Sequence, residues 1–325
     1  MKKILLGAML LTGTSLFAQD SAKTETPKPN PFSFSGYVEA FYQYDFNKPT
    51  DNNRPGFIYS HNRHNEFNLN LGFLKGSYNA ERVRANLAIA AGTYMNANYA
   101  AETGVLKNVY EANAGLKISK KKNLWIDAGI FSSHIGFESA VSKDCWTLTR
   151  SILADNSPYF ESGAKLTYTS DNNKWLVSGL VLNGWQRIKR VDANSLMSYG
   201  TQLQYKPNSN ITLNYSTFIG TDKPDSARLW RYFHNVYGVI NVTGKFGITA
   251  GFDIGSEQKT KGSNDFNTWY SPVLILKYAV NSKWAIAARG EGPKTFYWQG
   301  KYFMIVDAWK GMEVYSSTDL LTWKK

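Results

Sequence analysis

The sequence predicts a transmembrane antiparallel up-and-down β-barrel of about 14 strands, within a range of about 12–16, and three observations predict it. From Phe32 onward the chain writes one run after another of strict apolar/polar alternation. The gaps between these runs are by turns short and long. The chain also opens like an exported protein and contains no later stretch resembling a spanning helix, so entry into a membrane requires a closed sheet.

At the start, Lys2 and Lys3 precede apolar Ile4 to Leu11, then the more polar Thr12 to Ser15, then Leu16-Phe17-Ala18-Gln19. This tripartite order reads as a signal peptide, 1–18, cleaved after Ala18. Residues 19–31 are polar, and Thr26-Pro27-Lys28-Pro29-Asn30-Pro31 cannot join a ladder, so they are expected to form a flexible periplasmic leader. The barrel is assigned to 32–290 and an atypical ending to 291–325.

In the first run Phe32, Phe34, Val38, Ala40, Tyr42, Tyr44 and Phe46 fall on one face of an extended chain, opposite Ser33, Ser35, Tyr37, Glu39, Gln43 and Asp45. The pattern recurs with Phe67, Leu69, Leu71 and Phe73 against Asn68, Asn70 and Gly72, and with Val83, Leu87, Ile89 and Ala91 against Arg82, Arg84 and Asn86. A soluble sandwich also alternates, but its strands average about 5–6 residues, whereas a tilted strand crossing a bilayer needs about 9–11. Thirteen strands are expected near 32–46, 66–78, 82–92, 109–118, 124–131, 161–169, 175–185, 197–205, 211–220, 230–242, 246–256, 269–279 and 284–289. Short connections (79–81, 119–123, 171–173, 207–210, 243–245, 281–283) alternate with long ones (47–65, 93–108, 132–160, 186–196, 221–228, 257–267). Outer-membrane barrels have short periplasmic turns and long external loops, and the first connection is long, so the amino terminus belongs in the periplasm.

Composition agrees. Hydrophobic residues are 43%, aromatics 15% and mean hydropathy is −0.38, the average expected when one strand face meets lipid and the other water. The single Cys145 excludes an internal disulfide. The formal charge of +12 falls to +10 without Lys2 and Lys3, and the absence of a compact basic cluster argues against nucleic acid.

The polar strand faces supply candidate pore-lining residues: Glu39, Asp45, Glu111, Asp127, Glu161 and Asp253 against Arg82, Arg84, Lys117, Lys165, Arg231, Lys277 and Arg289. Against lipid each would cost about 2–4 kcal/mol near the midplane, so they must face water. Their mixed sign points to small polar solutes and little charge selectivity. The longest connection, 132–160, carries His134, Glu138, Lys143, Asp144, Arg150 and Asp155, with a short helix expected over 147–153; it is either a constriction folded into the lumen or an external cap.

Asp127-Ala128-Gly129-Ile130-Phe131, Gly136-Phe137-Glu138, Thr147-Leu148-Thr149-Arg150-Ser151, Ser157-Pro158-Tyr159, Gly163-Ala164-Lys165-Leu166-Thr167-Tyr168 and Leu182-Asn183-Gly184-Trp185-Gln186 resemble the β-barrel porins of Bacteroidetes. The resemblance runs from the signal to about Arg289 and implies outer-membrane diffusion. Residues after Arg289 follow another rule. Glu291-Gly292-Pro293, Tyr302-Phe303-Met304-Ile305-Val306-Asp307, Trp309-Lys310-Gly311 and Val314-Tyr315-Ser316-Ser317 resemble one blade of a family 43-like glycoside hydrolase propeller. In that family Glu291 would match the general acid, but the partner acids lie on other blades, so no glycosidase activity is expected. Either 295–307 serves as the fourteenth strand or closure is incomplete; a join of unrelated coding fragments and a truncation both account for such an ending.

No enzyme, cofactor or metal is expected. His61 and His64 share a loop without an accompanying Cys or dense carboxylate set and read as a solvated pair. His234 is the one in-strand histidine, with no nucleophile motif beside it. The expected function is an outer-membrane porin for small polar solutes. Its partners would be outer-membrane lipid, lipopolysaccharide, the barrel-assembly machinery and sister subunits of a homotrimer. The alternatives are a non-conducting surface or adhesive barrel, and a glycoside hydrolase fragment.

Overall fold

The structure is a computed structural model and describes residues 30–54, 56, 58–292, 295–298, 301–308, 311–318 and 324. The predicted signal and the leader up to residue 29 lie outside them. Thirteen strands follow in chain order: β1 (Phe32–Tyr42), β2 (Phe67–Asn79), β3 (Val83–Ala91), β4 (Val109–Lys117), β5 (Asn123–Ser132), β6 (Phe160–Thr169), β7 (Trp175–Leu182), β8 (Ser198–Asn208), β9 (Ile211–Gly220), β10 (Arg231–Asn241), β11 (Phe246–Gln258), β12 (Phe266–Ala279) and β13 (Ala285–Glu291). Each pairs antiparallel with the next, giving an up-and-down wall. Among the described residues no ladder joins β1 to β13.

The two faces are inverted relative to a soluble protein. Phe34, Val38, Leu74, Leu87 and Val236 stand exposed on the outside, while Asn70, Asp127, Ser216, Asn235, Thr249 and Asp253 are buried within. Only a lipid solvent makes that arrangement favourable. Among the described residues no helix is long and apolar enough to cross a membrane. Among the described residues the α-helices α1 (Thr93–Asn98) and α2 (Ile152–Asp155) both lie in long connections.

One register departs from the sequence pattern. The β1–β2 ladder slips between Glu39 and Ala40, leaving Asn70 as the extra residue of a bulge. Because side chains alternate with period 2, one inserted residue exchanges the faces beyond it. Leu71 and Phe73, expected outside, therefore turn inward: Leu71 is fully buried and Phe73 stacks on Tyr110 at 5.2 Å. Leu74 takes the outer position.

The ending also differs from expectation. Residues 295–307 do not form one fourteenth strand. They divide into β14 (Thr295–Trp298), which pairs with the outer end of β12 at Trp269 and Tyr270, and β15 (Lys301–Ala308), followed by β16 (Gly311–Ser317).

Candidate functional site

The longest connection, 133–159, the third of the long loops, is folded into the lumen. Its sequence explains why. Ile135, Phe137, Ala140, Val141, Trp146 and Leu153 are too many apolar side chains for an external cap, and the inner wall offers them apolar seats. Leu153 packs with Val273 and Ile275 of β12, flanked by Phe137 and Trp146. Ile135 joins Phe131, Leu180, Leu182, Phe218 and Phe233. Ala140 and Val141 join Leu71, Tyr94, Met95 and Tyr99, the cluster that the bulge made possible.

Hydrogen bonds carry the loop around the inner wall. His134 Nε2 donates to the Thr217 carbonyl of β9 at 2.9 Å, and Ser216 Oγ donates to the His134 carbonyl at 2.7 Å. Gly136 N donates to Asn235 Oδ1 of β10 at 3.1 Å. Arg289 of β13 donates to Thr147 Oγ1, the Thr149 carbonyl and Thr149 Oγ1, and Glu291 accepts from Ile152 N at 2.6 Å. Ser142 Oγ donates to Glu39 of β1 at 2.5 Å. Within the loop the buried Arg150 guanidinium donates to the carbonyls of Ser139, Leu148 and Ala140 and to Ser142 Oγ. Glu138 accepts from both the amide and hydroxyl of Ser151, whose hydroxyl also caps α2 by accepting from Ala154 N.

Burial tunes two loop groups in opposite senses. His134 is pulled down to about 4 by desolvation, only partly offset by its bond to Thr217. A neutral ring donating through Nε2 leaves its Nδ1 lone pair facing Glu161 Oε1, 3.9 Å away. Asp155 is pushed up to about 6 by burial, against the hydrogen bonds from Tyr159 and the Tyr59 amide.

The wall from β2 to β6 is lined differently. Arg84 grips Asp127 through Nε and Nη2 and lies 4.3 Å over the Trp125 ring. Lys75 pairs with Glu111 at 2.5 Å, and Lys165 sits 4.6 Å over Phe131. These side chains form a charge ladder in which β2 pairs with β4 and β3 with β5, each cation next to an anion; Arg84, Lys75 and Glu111 are partly exposed to the lumen, and Asp127 is buried beneath Arg84.

Residues 31–302 match the sequence profile of the family described as "Putative beta-barrel porin-2, OmpL-like". The chain belongs to this family of porin-like outer-membrane barrels. No curated protein matches it in sequence. Among solved structures it is similar in fold to in-vitro folded OmpT, an outer membrane protein of Vibrio cholerae, in the trimer form (9% identity, TM-score 0.45, 89% of each chain covered). A loop L8 deletion mutant of that protein matches at 6% identity and TM-score 0.37, over 88% of this chain and 97% of the other.

In this porin-family barrel most of the predicted polar residues share the inner side: Glu39, Arg84, Glu111, Lys117, Asp127, Lys165, Arg231, Asp253, Lys277 and Arg289. Arg231 pairs with Glu257 at 2.6 Å near the outer mouth, Asp253 accepts from Asn235 at 2.6 Å beneath the loop, and Lys277 lies 5.4 Å over Trp146. Three do not line a wet wall. Asp45 lies past the end of β1, in the first long loop, 3.6 Å from Arg54. Arg82 is exposed in the turn before β3. Glu161 is fully buried behind the third loop rather than facing water. All six predicted loop residues belong to the in-folded segment; Lys143 and Asp144 are its exposed charges, and Lys143 approaches the Tyr37 ring at 5.9 Å.

Three smaller expectations are corrected. The helix expected over 147–153 is the single turn α2, where Ser151 supplies the cap. His61 and His64 are buried, not solvated: His61 bonds Glu39 at 2.5 Å and His64 Nδ1 accepts from Asp45 N at 2.7 Å. Glu291, which resembled a hydrolase acid, instead clasps the loop and Arg289. Sequence reasoning missed Lys75 because the bulge at Asn70 reverses the parity of its half of β2. Among the described residues no group of three or more His, Cys, Asp or Glu converges to hold a metal. His234 faces outward and its Nδ1 meets the Tyr215 hydroxyl at 2.6 Å.

Proposed function

We propose that this barrel admits small polar solutes by passive diffusion along the space between the β2–β6 charge ladder and the in-folded third loop. The observation that carries this reading is the asymmetry of the lumen. The loop is hydrogen-bonded to β9, β10, β13 and β1 and covers the apolar part of β2–β6 around Leu71 and Phe131, while the Lys75–Glu111 pair and the Arg84 guanidinium over Asp127 remain partly exposed beyond it. A ladder in which each cation neighbours an anion holds hydrated solutes without strong preference for either sign. Cleavage of the signal peptide after Ala18 and export to the outer membrane belong to the same reading.

Reconstitution of the purified, folded barrel into planar bilayers tests it. Ohmic current steps that shrink when polyethylene glycol of increasing size is added support diffusion. A folded barrel giving no steps supports the non-conducting alternative, in which the loop is a plug.

A further inference from the structure

The two rims of the barrel are charged differently. The six short turns, with the last strand residues excluded, carry seven Lys or Arg against two acids, Glu81 and Asp171. The six long connections together carry thirteen basic side chains against eleven acids, although they are several times longer. Long loops of such barrels face outward and short turns face the periplasm, so the cationic rim faces the leaflet of phospholipids. Lys206, near the end of β8, adds to it.

Above part of this rim the lipid-facing wall is dented. On adjacent strands Leu213, Gly238 and Ala250 are direct cross-strand partners, and the two small residues leave the floor low. Tyr215, Val236 and Phe252 stand proud in the row above, and Trp175 stacked on Tyr205 at 4.2 Å closes one end. The resulting groove has a volume of about 450 Å³. Lys174 directly precedes Trp175, and Lys206 directly follows Tyr205, with the Lys206 amide bonded to the Lys174 carbonyl at 2.7 Å. Lys245 opens the rim on the far side, in the turn before β11. All three lysines are exposed, and among the described residues none has an anionic side-chain partner.

We propose that this corner of the barrel binds an anionic phospholipid of the periplasmic leaflet, with its phosphate among Lys174, Lys206 and Lys245 and one acyl chain over Gly238 and Ala250. The charge of the rim selects the head group. The missing side-chain volume at two neighbouring outward positions admits the chain, and the Trp175–Tyr205 pair sits where amphipathic rings meet the head-group layer. Strands lie about 4.8 Å apart, so Lys206 on β8 and Lys245 before β11 are about 14 Å apart along the rim and Lys174 before β7 about 19 Å from Lys245, distances that the long lysine side chains reaching inward narrow to the scale of a single lipid head group and its glycerol. The assignment does not depend on whether the lumen conducts.

The test uses the full barrel in nanodiscs holding equal amounts of dioleoylphosphatidylglycerol and dioleoylphosphatidylcholine, which share acyl chains and differ in head-group charge. Bound lipid is counted by native mass spectrometry after transfer to detergent. The expected result is retention of phosphatidylglycerol over phosphatidylcholine by about tenfold or more, lost in the combined Lys174→Gln, Lys206→Gln, Lys245→Gln variant. The combined Lys120→Gln, Lys121→Gln, Lys283→Gln variant, on other parts of the rim, keeps the preference. Gly238→Leu fills the groove and removes the retained lipid; Ala250→Leu reads the same groove if the first variant fails to show the heat-dependent gel shift of a folded barrel. Equal retention of the two lipids overturns the proposal, as does equal loss with either lysine triple, which would mean a diffuse cationic rim. Conversion of a dimer to a monomer by Gly238→Leu, seen by light scattering, also overturns it and gives the groove to a second copy of the chain.

Discussion

The β2–β6 wall and the β9–β12 wall are built from the same alternating strands, yet their inner faces solve different problems. Around Lys75, Arg84 and Glu111 on β2–β4 the inward residues are charged, paired across strands and partly exposed, with Arg84 a third exposed over the buried Asp127 of β5. On β9–β12 they are Ser216, Phe233, Asn235, Thr249, Asp253, Val273 and Ile275, all nearly or fully buried beneath the third loop. The difference teaches that the loop, not the strand pattern, decides which part of a polar lumen stays wet. A polar face that is covered must have its hydrogen-bonding groups met one by one, as Asn235 and Ser216 are, whereas an uncovered face needs only charges that balance.

Removing the cover is the strongest way to break this contrast. Replacing residues 139–150 by a short Gly-Ser linker is expected to raise single-channel conductance by about threefold or more, because both walls then face water. An unchanged conductance would show that the loop does not limit the path. Arg150→Ala attacks the same cover from within. Its guanidinium is almost fully buried and supplies four hydrogen bonds that nothing else can supply, so the loop should lose on the order of 3 kcal/mol of local stability. Faster proteolysis between 133 and 159 and a flickering current are the expected signs.

Charge on the open wall gives a smaller, signed effect. Asp127→Asn leaves Arg84 without its carboxylate and should shift the reversal potential in a KCl gradient toward anion preference by about twofold in permeability ratio; Arg84→Gln should shift it the other way. Equal shifts of one sign from both variants would sink the ladder reading.

The smallest effect concerns pH. His134 has a folded value of about 4, below the ordinary 6.5, so its contribution to holding the loop is present above 6.5 and lost as pH falls toward 4. Asp155, raised from 3.8 to about 6, works oppositely: its contribution grows as pH falls from 6 toward 3.8. The wild-type loop should therefore be nearly indifferent to mild acid. Asp155→Asn should make its protease protection fall between pH 6.5 and 4, and an identical pH profile in the two proteins would refute the compensation.

The strands were legible because lipid turns the usual pattern inside out and writes it at full length. Val236, Phe252 and Ile254 alternate with Asn235, Asp253 and Gly255 as plainly in the sequence as in the wall. Parity arguments fail where a single residue is inserted, so Asn70 misplaced Leu71 and Phe73 and hid Lys75. The loop's path was not legible, since it rests on contacts such as His134 with Thr217 and Ser142 with Glu39 that join residues far apart in the chain. One available signal was the apolar content of that segment, Ile135 through Leu153, which has no place in a solvated cap. His61 and His64 were misjudged for a related reason: their partners, Glu39 and the Asp45 amide, come from the preceding strand and its exit.

The third loop is also anchored at both Glu39 on the first strand of the wall and Arg289 and Glu291 on the thirteenth. These are the first and last strands of the thirteen-strand up-and-down wall, and a segment from its middle holds one with each hand. During assembly such a clasp shortens the search by which the first and last parts of the chain find each other, since the loop-closure cost is met within two shorter segments instead of across about 250 residues at once. A segment folded against the inner wall thus doubles as a staple for its construction, and weakening its grip on either end is expected to slow folding into detergent or lipid.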